Sequence, residues 1–159
     1  MESRGQSGLI VQPASDYLGA DGLRLLGTSQ QIELCGGSRG LRDSAGLESA
    51  FATPQATFGG EFLHSTIPAM ASAYLFHLCQ NHPFIDGNKR VGANAAVTFL
   101  RMNNWEPTLD NEEFVDFVLA VASGEPRKPA LIEIFEARCK PPIWTRSQSS
   151  PDTIGSYVP

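Results

Sequence analysis

Residues 66–102 read TIPAMASAYLFHLCQNHPFIDGNKRVGANAAVTFLRM, and this stretch decides the fold. In its first part Ile67, Met70, Ala71, Tyr74, Leu75, Leu78 and Cys79 recur at i, i+3, i+4, i+7, i+8, i+11 and i+12. That spacing lays one apolar stripe along a helix over 66–80. In its last part Val91, Ala95, Ala96, Val97, Phe99, Leu100 and Met102 spread around much of a helical circumference. The pattern over 90–102 predicts a central helix buried on most sides. Between the two lies His82-Pro83-Phe84-Ile85-Asp86-Gly87-Asn88-Lys89-Arg90. Pro83 disfavours helical backbone at His82, so the first helix ends there. Gly87 frees the chain to turn before the second helix starts near Asn88.

Working outward, the signal stays helical. Residues 111–122 carry Phe114, Phe117, Val118 and Val121 on one face, with Glu112 and Glu113 in a first turn that suits the helix dipole. Residues 129–138 carry Leu131, Ile134 and Phe135, and Pro141-Pro142 bars continuation soon afterwards. Upstream, Asp43 or Ser44 caps a short helix holding Leu47, Ala50 and Phe51, with Glu48 expected in its first turn. Thr53 to His64 contains Pro54 and Gly59-Gly60 and reads as an extended or hairpin-like excursion. Leu18, Leu23, Leu25 and Leu26 favour helix within 14–34, but Gly19 and Gly22 weaken it. Residues 1–13 are rich in Ser, Gly and Gln and read as disordered, as does the tail over 141–159. Trp144, Ile154 and Tyr157 would suit a docking peptide, although composition favours a plain untethered tail. The expected architecture is all-α: one domain over 14–140, with a short flap before the striped helix.

The chain has 159 residues, 42% of them hydrophobic and 18% charged, which is the composition of a single soluble globular domain. A net charge of −5 gives no basic footprint for nonspecific nucleic-acid or membrane binding. Any phosphate recognition therefore has to come from a local cluster. Cys35, Cys79 and Cys139 show neither paired nor metal-ligand spacing and read as reduced thiols. There is no signal-peptide pattern and no membrane-length apolar run, so a cytoplasmic protein is expected.

The loop from His82 to Arg90 carries the chemistry. A loop emptying into a helix N-terminus offers unpaired N–H groups and the positive end of the dipole, which together form an anion site. Lys89 and Arg90 add formal charge at the same point. An imidazole ordinarily titrates near neutrality, so a histidine at position 82 suits proton abstraction from a hydroxyl. Asp86 is a hard oxygen ligand for Mg²⁺, an ion that keeps waters and needs few protein ligands. The Asn88 amide suits a phosphoryl oxygen, Arg90 a phosphate fork and Lys89 a mobile point charge. Phe84 reads as the inward anchor of the loop. His-Pro-Phe and Asp-Gly-Asn are also ordinary turn chemistry. Lys-Arg in a first helical turn, however, opposes the dipole, and a purely structural loop gains nothing from that. Elsewhere, His64 and His77 read as structural or solvated, Trp105 as closing the second helix near Asn103-Asn104, and Glu106 and Asp110 as solvated.

HPFIDGNKR resembles the active-site motif of the Fic/Doc family, HxFx(D/E)GN(G/K)R. The resemblance extends over roughly 15–138. LRDSAGLESAFATPQ (41–55), VGANAAVTFLRMNNW after the loop and FVDFVLAVASGE (114–125) are similar to the death-on-curing branch. It implies a compact helical bundle with His82 as general base, Asp86 as Mg²⁺ ligand, and Asn88 and Arg90 as phosphate binders. Gly87 would belong to the anion-binding nest, and Phe84 would be its anchor. Thr57, Phe58, Gly59, Gly60, Glu61 and Phe62 would form a flap that aligns a target segment by strand addition. AMP-transferring members typically carry Gly where this chain has Lys89, and a second Arg where it has Ala93. Both departures resemble Doc toxins, which move the γ-phosphate of ATP onto a translation-factor hydroxyl. The family's inhibitory (S/T)xxxE(G/N) motif is missing, since Ser44…Glu48-Ser49 ends in Ser, so restraint would fall to a small antitoxin partner. The resemblance thus implies an ATP- and Mg²⁺-dependent toxin kinase. Adenylyl transfer is the alternative, and a non-catalytic module that retained the loop is a third reading.

Overall fold

The computed structural model describes residues 40–141. The expectations for 1–13, for the 14–34 segment, for Cys35 and for the tail from 142 onward lie outside the described residues. Five helices carry the fold among the described residues: α1 (Ser44–Ala52), α2 (Ile67–Gln80), α3 (Asn88–Met102), α4 (Asn111–Ser123) and α5 (Lys128–Arg138). Strands appear among the described residues as two-residue pairs, β1 (Thr57–Phe58) with β2 (Glu61–Phe62) and β3 (Glu106–Pro107) with β4 (Cys139–Lys140). The protein is all-α.

Each helix begins where its local chemistry permits. Asp43 is the cap of α1, its carboxylate accepting from Gly46 N at 2.9 Å, which puts Glu48 beyond the first turn where it was expected. Thr66 caps α2 through Ala69 N, with Pro68 just inside the start. Asp110, expected to be merely solvated, closes a reciprocal capping box on α4 with Glu113. α3 ends through left-handed Asn104, with Trp105 N–H returning to Leu100 O at 2.8 Å. The β3–β4 pair, not foreseen from sequence, clips the exit of α5 to the segment after α3.

Burial is shared between α2 and α3 differently from the expectation. Eleven of the fourteen residues of α2 are buried, against six of fifteen in α3. α2 packs against α1, α3, α4 and α5, and it is the axis of the bundle. On α3 the buried set Val91, Gly92, Ala95, Ala96, Phe99 and Leu100 forms one broad face, while Val97 and Met102 are only half-buried. The two helices cross closely at Gly92: a Cβ there would meet Leu75 O and Cys79 Sγ, both at 3.2 Å. Tyr74 at the centre of α2 packs between Phe51 and Phe99, its ring tilted by 48° and 49° to theirs, joining α1, α2 and α3 through one aromatic cluster. The loop between α2 and α3 leaves this rigid crossing at both ends.

Candidate active site

Pro83 forces the chain out of helix after Gln80, and the backbone solves the turn with strain. His82 has φ 46°, a left-handed conformation that is costly for a residue with a side chain. Its neighbours hold it there. Asn81 Nδ2 donates to Gly46 O at 2.9 Å, and Pro83 O accepts from both Arg42 N and Asp43 N, at 2.7 and 3.1 Å. Leu41 and Phe84 form an antiparallel bridge, and Ile85 N donates to Gly40 O at 3.1 Å. The segment before α1 therefore acts as a strap that fixes the loop from outside.

Within the loop the side chains divide into supports and presenters. Phe84 is 2% exposed and belongs to the core. Asn88 accepts from Phe84 N and donates to Phe84 O, both at 2.9 Å, folding the loop back on the start of α3. One amide hydrogen is thus committed to the loop, and only the second is left for an anion. Asp86 Oδ1 accepts from Gly87 N at 2.6 Å, while its second carboxylate oxygen makes no hydrogen bond among the described residues. Gly87 is buried with φ 81°, a left-handed conformation that favours glycine, and it is the N-cap of α3 without a capping side chain. The amides of Asn88, Lys89 and Arg90 lie ahead of the first helical bond, which runs from Val91 N to Gly87 O at 2.9 Å. His82 and Lys89 are exposed, and Asp86 and Arg90 are half-buried.

The result is an exposed imidazole, a half-exposed carboxylate and a helix N-terminus carrying two cations, all on a nine-residue turn. Such a turn can bind an anion and accept a proton beside it. The donor set also fits Mg²⁺ and a nucleotide's phosphates. Mg²⁺ takes one or two carboxylate oxygens and keeps its waters, so the free oxygen of Asp86 suffices. No three His, Cys, Asp or Glu side chains converge into a denser cage among the described residues. Beside the turn lies a cleft of about 240 Å³ between Lys89, Arg90 and Ala93 of α3 and Phe114, Val118 and Leu119 of α4. Its walls are apolar and its cations sit on the α3 side, so it continues sideways from the turn.

The hairpin expected over Thr57–Phe62 is present. Thr57 pairs with Phe62 and Phe58 with Glu61 across Gly59-Gly60, whose φ values of 60° and 86° suit a two-residue turn. Phe58 is 82% exposed at its tip. Sequence reading missed a second cluster. His64, expected to be structural or solvated, is 7% exposed just beyond the hairpin. His77 on α2 meets Lys128 of α5, Nε2 to Nζ at 3.1 Å. Burial, then Lys128, then His64 push the His77 imidazole down to about 4. Cys79 is pushed up to about 11 by burial, so it is a core thiol and no nucleophile.

The class defined so far is an all-α bundle that presents a strapped, strained loop at an uncapped helix N-terminus. Comparison with known proteins narrows it: residues 20–100 match the model of the Fic/DOC family. The chain is 32% identical over 94 residues to the protein named Protein kinase doc of Escherichia phage P1, covering 59% of this chain and 73% of that one. It is 40% identical over 75 residues to Toxin Doc of Mycolicibacterium smegmatis (strain ATCC 700084 / mc(2)155), covering 47% of this chain and 58% of that one. The matched region thus spans little more than half the length of the mycobacterial relative. The chain belongs to the Fic/DOC family, and these relatives are of its Doc kind.

Proposed function

We propose that this protein is a Doc-like toxin that transfers the γ-phosphate of ATP to a hydroxyl of a target protein of the translation-factor class. The observation that carries this reading is the start of α3. Lys89 and Arg90 stand in an uncapped first turn, beside the exposed imidazole of strained His82. A cation there opposes the helix dipole, and an anion bound at the turn would offset it. The names of the two relatives, a toxin and a protein kinase, support the same reading.

In this mechanism His82 takes the proton from the attacking hydroxyl. The amides at the start of α3, with Lys89, Arg90 and the second hydrogen of the Asn88 amide, hold the phosphate oxygens. Asp86 would hold Mg²⁺, which when bound neutralises charge across those oxygens. Phosphoryl transfer asks the protein mainly for positioning and electrostatics, which a loop fixed by Asn88, Phe84 and the 40–43 strap supplies. The hairpin Thr57–Phe62 aligns the target by strand addition. A small antitoxin restrains the enzyme in the cytoplasm, and the catalytic domain is assigned to residues 14–140.

Lys89 and Ala93 favour γ-phosphate over AMP transfer, because the chain has neither the small residue nor the second arginine of AMP-transferring relatives. The test is incubation of the protein and a cell lysate with ATP labelled at either the α or the γ position. Label from γ on a target is expected, and label from α overturns the kinase reading in favour of adenylyl transfer. On expression without an antitoxin the wild type should arrest growth, and His82→Ala should relieve it. Equal growth of the two would sink the toxin reading and leave a non-catalytic module.

A further inference from the structure

His82 stands where two rules of backbone chemistry oppose its conformation. It carries a side chain at φ 46°, and it precedes Pro83, which favours extended backbone at the residue before it. Its ring is exposed, so core packing does not fix it. The hold must come from its neighbours, and on the two sides it differs in kind. After His82, Pro83 O accepts from the amides of Arg42 and Asp43, backbone contacts that hardly depend on residue type. Before His82 the hold is a single side chain: Asn81 Nδ2 donates to Gly46 O at 2.9 Å.

Asn81 has helical backbone, φ −74° and ψ −16°, and its N–H donates to His77 O at 2.9 Å. Its backbone thus belongs to α2, while its carboxamide is tied to the first turn of α1. The sign of φ reverses at the next residue. Both ties, from Asn81 and from Pro83, end on residues 42–46, so they set the span that the chain through His82 has to bridge. A left-handed residue covers less length than an extended one, so a fixed span selects between them. The anchor is itself pinned. Gly46 N donates to the Asp43 carboxylate, the cap of α1, at 2.9 Å. A Cβ at Gly46 would collide with that carboxylate, so the cap favours glycine at the anchor.

We propose that Asn81 is a positioning residue for the transfer reaction: its bond to Gly46 O selects the left-handed His82 and so aims the imidazole. This rests on the reading of His82 as the general base. The carboxamide acts through its donor, because a carboxylate in the same place would turn oxygen against oxygen. It also makes the direction of the base depend on α1, an element that supplies none of the motif residues.

Two readouts on the full-length protein test this. The first is the NMR cross-relaxation between the amide and Hα protons of His82, which is strong for left-handed backbone and weak for extended. It should be strong in the wild type and weak in both Asn81→Ala and Asn81→Asp. The second is the labelling of lysate protein from γ-labelled ATP. At a fixed amount of lysate its maximal rate should fall at least about tenfold in both variants, with KM for ATP little changed, because orientation acts on the transition state more than on binding. Gln80→Ala is the control. Gln80 Nε2 donates to Val121 O at 2.8 Å, a bond of the same kind at the neighbouring position that ties α2 to α4. Its loss should lower the unfolding midpoint and leave both readouts as in the wild type. If Asn81→Ala keeps either the strong cross-relaxation or the wild-type rate, or if Gln80→Ala slows labelling as much, Asn81 is a helix end and nothing more. If the wild type labels no protein, the reading of His82 as base fails, and the cross-relaxation alone decides whether Asn81 holds the backbone.

Discussion

The carboxamide of Asn88 and the backbone of Phe84 bond in both directions, N–H to Oδ1 and Nδ2 to O, each at 2.9 Å. One side chain thereby closes the loop that its own helix begins, and the buried Phe84 ring keys that closure into the core. Asn88→Ala leaves both backbone groups of Phe84 without their partner. The expected loss is about 1–2 kcal/mol of unfolding free energy in urea denaturation, with target labelling abolished. Asn88→Asp keeps the acceptor but turns a repulsive oxygen on Phe84 O, so it should lose labelling as well. An unchanged midpoint for Asn88→Ala would show that the strap over 40–43 fixes the loop by itself.

The crossing of α2 and α3 depends on the missing side chain at Gly92. A methyl group there would stand 3.2 Å from both Leu75 O and Cys79 Sγ. Backbone cannot yield as a side-chain tip can, so the helices must part by a few tenths of an ångström. Gly92→Ala gains helix propensity of about 1 kcal/mol, against overpacking of about 1–3 kcal/mol in a filled core. Net destabilisation is expected, read as a lower thermal midpoint. A raised midpoint would mean that the crossing has slack.

What could be read from sequence follows from what is local. The stripe on α2, the break at Pro83, the glycine turn of the hairpin and the inward Phe84 are all decided within a few residues. The ranking of α2 and α3 was not, because Ala69, Ser72 and Ala73 are buried off the stripe and carry little hydrophobic signal. Small residues mark the helix that others approach most closely, whereas periodicity registers only the large ones. Asp110 followed by Glu113 was a legible capping box, hidden because both acids also suit a solvated first turn. The two-residue pair β3–β4 is too short to leave a pattern. The meeting of His77 and Lys128 joins two helices that only the packed bundle brings together.

Acid stability should depend on His77. In the unfolded chain its imidazole takes up a proton near 6.5, and in the folded protein only at about 4. Between those values the unfolded state binds more protons, so stability falls as pH falls through that window and is untouched by this group above it. His64 is displaced in the same direction and adds to the slope. Denaturation midpoints should be level above pH 6.5 and decline towards 4. His77→Gln should flatten that decline. An equal slope in the variant would assign the acid sensitivity to other groups.

The hairpin offers the cleanest separation of stability from action. Phe58 is 82% exposed, and a Cβ at Gly59 or Gly60 would meet nothing within 4 Å, so the tip stands clear of the bundle. Removing the ring forfeits no core packing, and Phe58→Ala should alter unfolding free energy by no more than about 0.5 kcal/mol. A large exposed aromatic on a two-residue strand has no structural work to do, and strand addition by a target would bury it. Labelling of the target from γ-labelled ATP should therefore fall severalfold in Phe58→Ala, through a higher KM for the protein substrate with little change in kcat. A strand needs its backbone donors as well as its side chains, so Phe62→Pro, which removes one N–H from β2, should weaken the same step. If both variants label the target as the wild type does, the hairpin is not the docking edge, and the target must be held by the motif loop alone.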